Sequence, residues 1–198
     1  MKEIIVGISG ASGMLYSTRL LRALASVVRV NLVVSEVAES ILKHEVDWDY
    51  KKENFNDYSQ RHFKEKTDLE YAVHQADNFY AKIASGSVYS DGMIVMPCSM
   101  KTLSGIAHGS SRNLLERAAD VTLKERRPLI LIVRELPYNR VHLENMLKAH
   151  DAGSTILPAS PAFYLNQTSI NEVVDFVVGR ALNCVGIEHK LFKPWGSK

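Results

Sequence analysis

Cysteine is almost missing from this chain. Cys98 and Cys184 are the only two among 198 residues, and they lie in unrelated contexts, so no disulfide framework is built. An excess of one charge is missing too: 24 Lys+Arg against 22 Asp+Glu leave a net charge of +2. The basic pairs Lys51-Lys52 and Arg126-Arg127 have acidic neighbours, which excludes the basic stripe of a nucleic-acid binder. No apolar run approaches the ~20 residues of a membrane-spanning helix. Met1-Lys2-Glu3 leads straight into Ile4-Ile5-Val6, too short an apolar stretch for a secretory h-region. The expectation is a cytoplasmic protein with no membrane or nucleic-acid partner. Repeats and low-complexity linkers are absent as well, so one domain is expected over residues 1–198.

What is present is a hydrophobic fraction of 46%, enough for a sizeable core in a chain of this length. Short β-branched runs alternate with segments of helical period, the pattern of a parallel sheet covered on both faces. Residues 4–9, 29–35, 93–96 and 129–133 read as strands, the third closed by Pro97. Helices are predicted after the first glycine turn to about residue 25, over 36–45 and over 112–127. Asn139 is placed as the cap of the next helix, and Ser169-Ile170-Asn171-Glu172 as a capping box before the last. The fold class is therefore α/β, a doubly wound parallel sheet in three layers. Residues 47–68 break the pattern, being polar yet carrying Trp48, Tyr50, Phe55, Tyr58 and Phe63. They read either as a solvated excursion with a few anchors or as a lid or subunit contact.

Open α/β sheets bind ligands where strand ends meet helix N-termini. The first strand ends in Ser9-Gly10-Ala11-Ser12-Gly13, whose glycines allow a tight turn and whose N–H groups and hydroxyls suit an anion. A dinucleotide fingerprint would need glycine at position 8, which is Ile8. No Walker A pattern follows Gly13 either. Alone, the loop is a phosphate or cofactor turn or simply a tight connection. A second loop, Pro97-Cys98-Ser99-Met100-Lys101-Thr102, brings hydroxyls and a lysine to another strand end. Ser99 there is an N-cap, a role compatible with ligand binding. Cys98 is read as a buried small hydrophobe rather than a nucleophile.

Three groups of charges remain. Arg117, Asp120 and Lys124 share a helix face and read as a surface ladder. Arg134-Glu135 leave a buried strand, either toward a ligand or toward solvent. Arg180 falls on the apolar stripe of Val173, Phe176, Val177 and Cys184, so it needs an anionic partner, an internal carboxylate or a bound phosphate.

With these positions assembled, the chain resembles the flavin prenyltransferase (UbiX-type) family over nearly its whole length. The resemblance is carried by the segment from Gly7 to Gly13, by Ser85-Gly86-Ser87 and by the segment from Pro97 to Leu103. It continues with the run from Asn113 to Arg127, Arg134-Glu135-Leu136-Pro137 and the run from His142 to Leu147, and ends with Pro161-Ala162-Phe163-Tyr164 and Pro194-Trp195. The Ser-Met-Lys loop is similar to members that accompany hydroxyarylic acid decarboxylases.

The resemblance implies a flavodoxin-like fold. It implies transfer of a dimethylallyl group from dimethylallyl phosphate to N5 and C6 of reduced FMN, without a metal. The prenylated FMN would serve a UbiD-type decarboxylase. It also implies a homo-oligomer, a dodecamer, with sites at subunit contacts. By the same resemblance Gly10, Ala11, Ser12, Ser35, Ser99, Met100, Lys101, Thr102 and Arg134 hold FMN. Tyr164 and Arg180 hold the prenyl phosphate, aided by Lys124 and Arg117. Ser12 lies near flavin N5, Glu45 and Glu135 are the candidates for proton handling, and Trp195 helps enclose the carbocation. Rival readings are an FMN-dependent cysteine decarboxylase, which would need a histidine beside the flavin, a non-catalytic flavin carrier, and a direct aromatic acid decarboxylase.

Overall fold

The computed structural model describes residues 1–196. Among them, six parallel strands run in the order β3-β2-β1-β4-β5-β6. They are β1 (Lys2–Ile8), β2 (Val28–Val34), β3 (Glu70–His74), β4 (Gly92–Cys98), β5 (Leu129–Val133) and β6 (Thr155–Pro158). The helices are α1 (Met14–Leu24), α2 (Glu36–Val46), α3 (Phe55–Phe63), α4 (Met100–Ala107), α5 (Leu114–Lys124), α6 (Arg140–Asp151) and α7 (Ile170–Cys184).

Strand side chains alternate between faces, and here both faces are covered. Ile4, Val6 and Ile8 join a core with Leu20 and Leu24 of α1 and Val174, Val177 and Val178 of α7. Ile5, Met93 and Val95 join a second core with Leu103 of α4 and Leu114, Leu115 and Ala118 of α5. Those two cores make the three layers expected from the alternating pattern. The strand order reverses between β1 and β4, so the crevice at their carboxyl ends is the topological switch point. Among the described residues no helix is long and apolar enough to cross a membrane.

Several elements differ from the sequence reading, each for a local reason. The strand expected to close at Pro97 continues through it to Cys98, with a register shift between Val95 and Cys98. Proline cannot donate to the ladder, and the freed geometry turns the Pro97 carbonyl toward β1. The helix expected over 112–127 begins at Leu114, because Asn113 caps it by accepting from the Glu116 N–H. It ends at Lys124, and Arg126 takes a φ of 55°.

Residues 47–68 are a largely exposed excursion with buried aromatic anchors. Trp48, Phe55 and Tyr58 are fully buried and pack ring against ring at 5.3 to 5.8 Å. Asn54 caps α3, and the Tyr58 hydroxyl donates to the Val46 carbonyl at 3.1 Å. Each such aromatic contributes about 1.5–3 kcal/mol by burial, and the three rings extend the core on the α1/α7 side.

In the last helix Phe176 and Val177 face the core as expected, but the apolar face is centred so that Arg180 falls outside it. Arg180 and Cys184 are exposed, while Val174, Val177, Val178, Ala181 and Leu182 face the core. Its buried charge is Asp175, paired with the buried Arg19 of α1 through a bond of 2.7 Å from Nε to Oδ1 and a second, shorter one from Nη2.

Candidate functional site

Ser9, directly after β1, is fully buried and joins the two loops of the switch point. Its Oγ donates to the Pro97 carbonyl at 2.9 Å and accepts from the Ser99 N–H at 2.8 Å. Its own N–H reaches the same Pro97 carbonyl at 3.2 Å. The two glycines beyond it are each required. A Cβ at Gly10 would lie 2.7 Å from Val37 Cγ1, and Gly13 takes φ 111°.

Gly13 caps α1 without a side chain, so the first N–H groups of that helix need a partner from elsewhere. Glu45, at the end of α2, supplies it. Its Oε2 accepts from the N–H groups of Gly13 and Met14, both at 2.8 Å. Partial desolvation would raise the Glu45 pKa. The Ser12 hydroxyl, the two N–H groups and the charge of Arg134 outweigh it and hold the carboxyl below its ordinary value. Arg134 also donates from Nε to the Ser12 carbonyl at 3.2 Å. Ser12, Glu45 and Arg134 thus form one interlocked group beside the loop.

A cleft of about 500 Å³ opens next to it, within the size range of cofactor pockets. Gly10, Ser35, Ser99, Met100, Lys101, Thr102 and Glu135 line it. Ser35 caps α2, Ser99 caps α4, and the cleft also takes in Asn113, the cap of α5. Three helix N-termini therefore meet in one cleft, each carrying partial positive charge. Ala11, Ser12, Glu45 and Arg134 are not among its lining residues, although Ser12 and Arg134 lie in the same loops as Gly10 and Glu135, which are. The sequence reading did not find Arg112, Asn113 and Glu116, which form part of the wall together with Glu36, Val37, Ala76, Asp77 and Phe79. Asn113 with Glu116 three residues on is a helix-start pattern that marks them. Among the described residues no three His, Cys, Asp or Glu side chains come together so as to hold a metal ion.

The expected phosphate-binding residues fall into two groups. Tyr164 packs edge-on against Trp195 at 4.8 Å and against Phe176 of α7 at 6.0 Å, and Arg180 is exposed on the same helix. Arg117 and Lys124 lie on α5, on the other side of the sheet. Arg117 bonds Asp120 at 2.8 Å and the Ala84 carbonyl at 3.1 Å, while Lys124 pairs with Glu125 rather than Asp120. One chain does not bring the four together.

Cys98 is fully buried, and burial pushes its thiol up to about 12. The nucleophile is the thiolate, so Cys98 is inert as the sequence suggested. At pH 8 the native protein is expected to take one equivalent of iodoacetamide, at the exposed Cys184, and a second only after unfolding. Two equivalents on the native protein would contradict this burial.

The fold and the cleft define an α/β protein with an open crevice at its switch point, and the flavoprotein family model matches residues 1–182. More narrowly, the chain belongs to the flavin prenyltransferase (UbiX) family. It is 45% identical to the flavin prenyltransferase UbiX of Methanocaldococcus jannaschii, over 98% of this chain and 99% of that one. A UbiX crystal structure in complex with FMN and dimethylallyl pyrophosphate superposes with a TM-score of 0.89 at 38% identity, covering 100% of this chain and 98% of that one. A dodecameric FMN-dependent UbiX-like decarboxylase from Escherichia coli O157:H7 gives 0.86 at 38% identity, covering 98% and 100%. The peptidyl-cysteine decarboxylase EpiD, at 14% identity and a TM-score of 0.60, shares the fold alone.

Proposed function

We propose that this chain joins a dimethylallyl group from dimethylallyl phosphate to N5 and C6 of reduced FMN, making prenylated FMN for a UbiD-type decarboxylase. The observation that carries this reading is a cleft framed by three helix N-termini, together with the interlocked Ser12, Glu45 and Arg134, of which Ser12 and Arg134 share loops with its lining residues Gly10 and Glu135. The residues present fit FMN. The caps at Ser35 and Ser99 with Lys101 suit its phosphate, and the turn at Gly10 has no room for a side chain. Gly10, Ala11, Ser12, Ser35, Ser99, Met100, Lys101, Thr102 and Arg134 would hold it. When bound and reduced, FMN supplies the electron-rich ring that accepts the allyl group.

The chain's own residues then have distinct tasks. Tyr164 and Arg180 take the leaving phosphate, whose dianion is stabilised by charge-assisted donors. Arg117 and Lys124 join them from a neighbouring copy, which makes the working form a homo-oligomer; the dodecamer of the E. coli relative supports that reading. Trp195, against Tyr164, offers an aromatic face to developing positive charge. Glu45, held as a carboxylate, suits proton acceptance at neutral pH, and Glu135 lines the cleft within reach of the same ligand. The protein works in the cytoplasm.

The test is incubation of the purified chain with FMN, a reductant and dimethylallyl phosphate, followed by the mass of the released flavin. A flavin heavier by one prenyl group is expected. An unchanged flavin mass would sink the proposal. Carbon dioxide released from an aromatic acid by this chain alone would favour the direct decarboxylase instead, and oxidation of a peptidyl cysteine the cysteine decarboxylase.

A further inference from the structure

Arg19 and Asp175 form a buried, two-point ion pair between α1 and α7, and nothing in the chemistry above uses it. Such pairs are poor stability devices. The cost of desolvating both charges consumes most of their attraction, and apolar residues of similar volume often serve as well. What a guanidinium fork on a carboxylate adds is geometry, because two parallel bonds fix both the offset and the rotation of the groups that carry them.

The two helices it joins carry the two halves of the site. The N-terminus of α1 is the Ser9–Gly13 loop with Glu45 against it. Helix α7 carries Arg180, and Phe176, next to Asp175, packs against Tyr164. Arg19 is five residues from Met14, the first residue of α1, and Asp175 five residues from Arg180 within α7, so each lies about 7.5 Å along its helix from those site-bearing positions. Around the pair, Leu20 and Leu24 on one helix and Val174, Val177 and Val178 on the other are apolar. Apolar contact of that kind is non-directional.

We propose that Arg19 and Asp175 are positioning residues, a register pin that aligns the donor-phosphate half of the site with its flavin half. The inference rests on the flavin prenyltransferase reading above. It also gives residues 47–68 a place in the site. Phe63, at the end of α3, lies 5.7 Å from the Arg19 guanidinium and 5.4 Å from that of Arg22, and Arg22 is in turn bonded to Glu65. Residues 47–68 thus contact the outer side of the pin through Phe63.

The experiment compares FMN-loaded wild type, the double variant Arg19→Met with Asp175→Leu, and Arg19→Lys. For each, dimethylallyl phosphate binding is measured by calorimetry, together with FMN affinity, melting temperature, and KM and kcat for flavin prenylation. The double variant is expected to keep its melting temperature and FMN affinity. Its donor affinity should fall at least tenfold, with KM rising by as much and kcat changing less. Arg19→Lys, which keeps the charges but not the fork, should fall between. Wild-type donor affinity in the double variant overturns the inference, as does a loss shared equally by FMN and donor, which marks general loosening. Should the double variant fail to fold, wild-type donor affinity in Arg19→Lys overturns it and a reduced one supports it. A wild type that neither binds nor transfers the donor removes the flavin prenyltransferase reading and this inference with it. A wild type that does both, beside variants that match it, removes the inference alone.

Discussion

Glu45→Ala is expected to destabilise the chain by about 1–2 kcal/mol, the usual cost of losing a helix cap, and to slow flavin prenylation by at least ~100-fold. The Gly13 and Met14 N–H groups lose their acceptor together, and Ser12 loses the carboxylate that orients its hydroxyl. Glu45→Gln separates the two effects. A neutral carbonyl oxygen can still accept from the helix N–H groups, so most of the cap survives, whereas proton acceptance by a carboxylate does not. If Glu45 only capped the helix, Glu45→Gln would retain near-wild-type turnover, and single-turnover flavin mass would show it. The pH dependence follows from the sign of the shift. The folded pKa of Glu45 lies below its ordinary value, so its contribution is fully present above the unfolded carboxylate pKa of about 4.3. It is lost as pH falls through the folded pKa. Melting curves of wild type and Glu45→Gln should therefore differ at pH 7 and converge only once the pH has fallen below the lowered folded pKa of Glu45.

Much of this arrangement is legible in the sequence because local chemistry and tertiary role coincide. Ser9 to Gly13 and Pro97 to Thr102 must lie at strand ends, since their glycines, proline and hydroxyls suit nothing else there. The capping box at Ser169 and Glu172 is as read. Where two roles compete, the reading slips. Val173, Phe176, Val177 and Arg180 do share a helical period, but α7 turns Val174, Val178 and Ala181 inward as well, and this wide apolar face leaves Arg180 outside. The buried charge is Asp175, hidden in sequence because its partner Arg19 is 156 residues away. Edge strand β3 was missed because its residues are mostly exposed and carry no clean alternation. Residues 47–68 do read as an excursion with anchors, because their charges pair with one another, as Arg61 does with Asp47 and Glu53, while the rings beneath them are buried. Glu45 was found through the resemblance. Its capping of α1 depends on how α2 packs, which no local spacing reveals.

Gly105→Ala should be the most destabilising single methyl group that can be added near the cleft. Within a helix, alanine in place of glycine normally gains about 1 kcal/mol. Here the new Cβ would stand 2.4 Å from Cδ and Oε1 of Glu116 and 2.8 Å from its other oxygen. That carboxylate is only 2% exposed, and it accepts from the Arg112 N–H at 3.0 Å and from the Arg112 guanidinium at 3.4 Å. It cannot turn aside without leaving those donors. Overpacking costs about 1–3 kcal/mol, and parting the buried Glu116 carboxylate from its donors about 1–3 kcal/mol more. Even partial relaxation leaves a net loss of about 2–4 kcal/mol, a fall in melting temperature on the order of 4–16 °C for a domain of this size. The effect should reach the ligand, because α4 and α5 present their N-termini to the cleft and Gly105 sets how closely they approach. FMN should then raise the melting temperature less in Gly105→Ala than in wild type. Adding Glu116→Ala removes the obstructing carboxylate, so the double variant should melt higher than Gly105→Ala alone. A Gly105→Ala protein as stable as wild type would show that the two helices can separate freely, and the cleft would not depend on their contact.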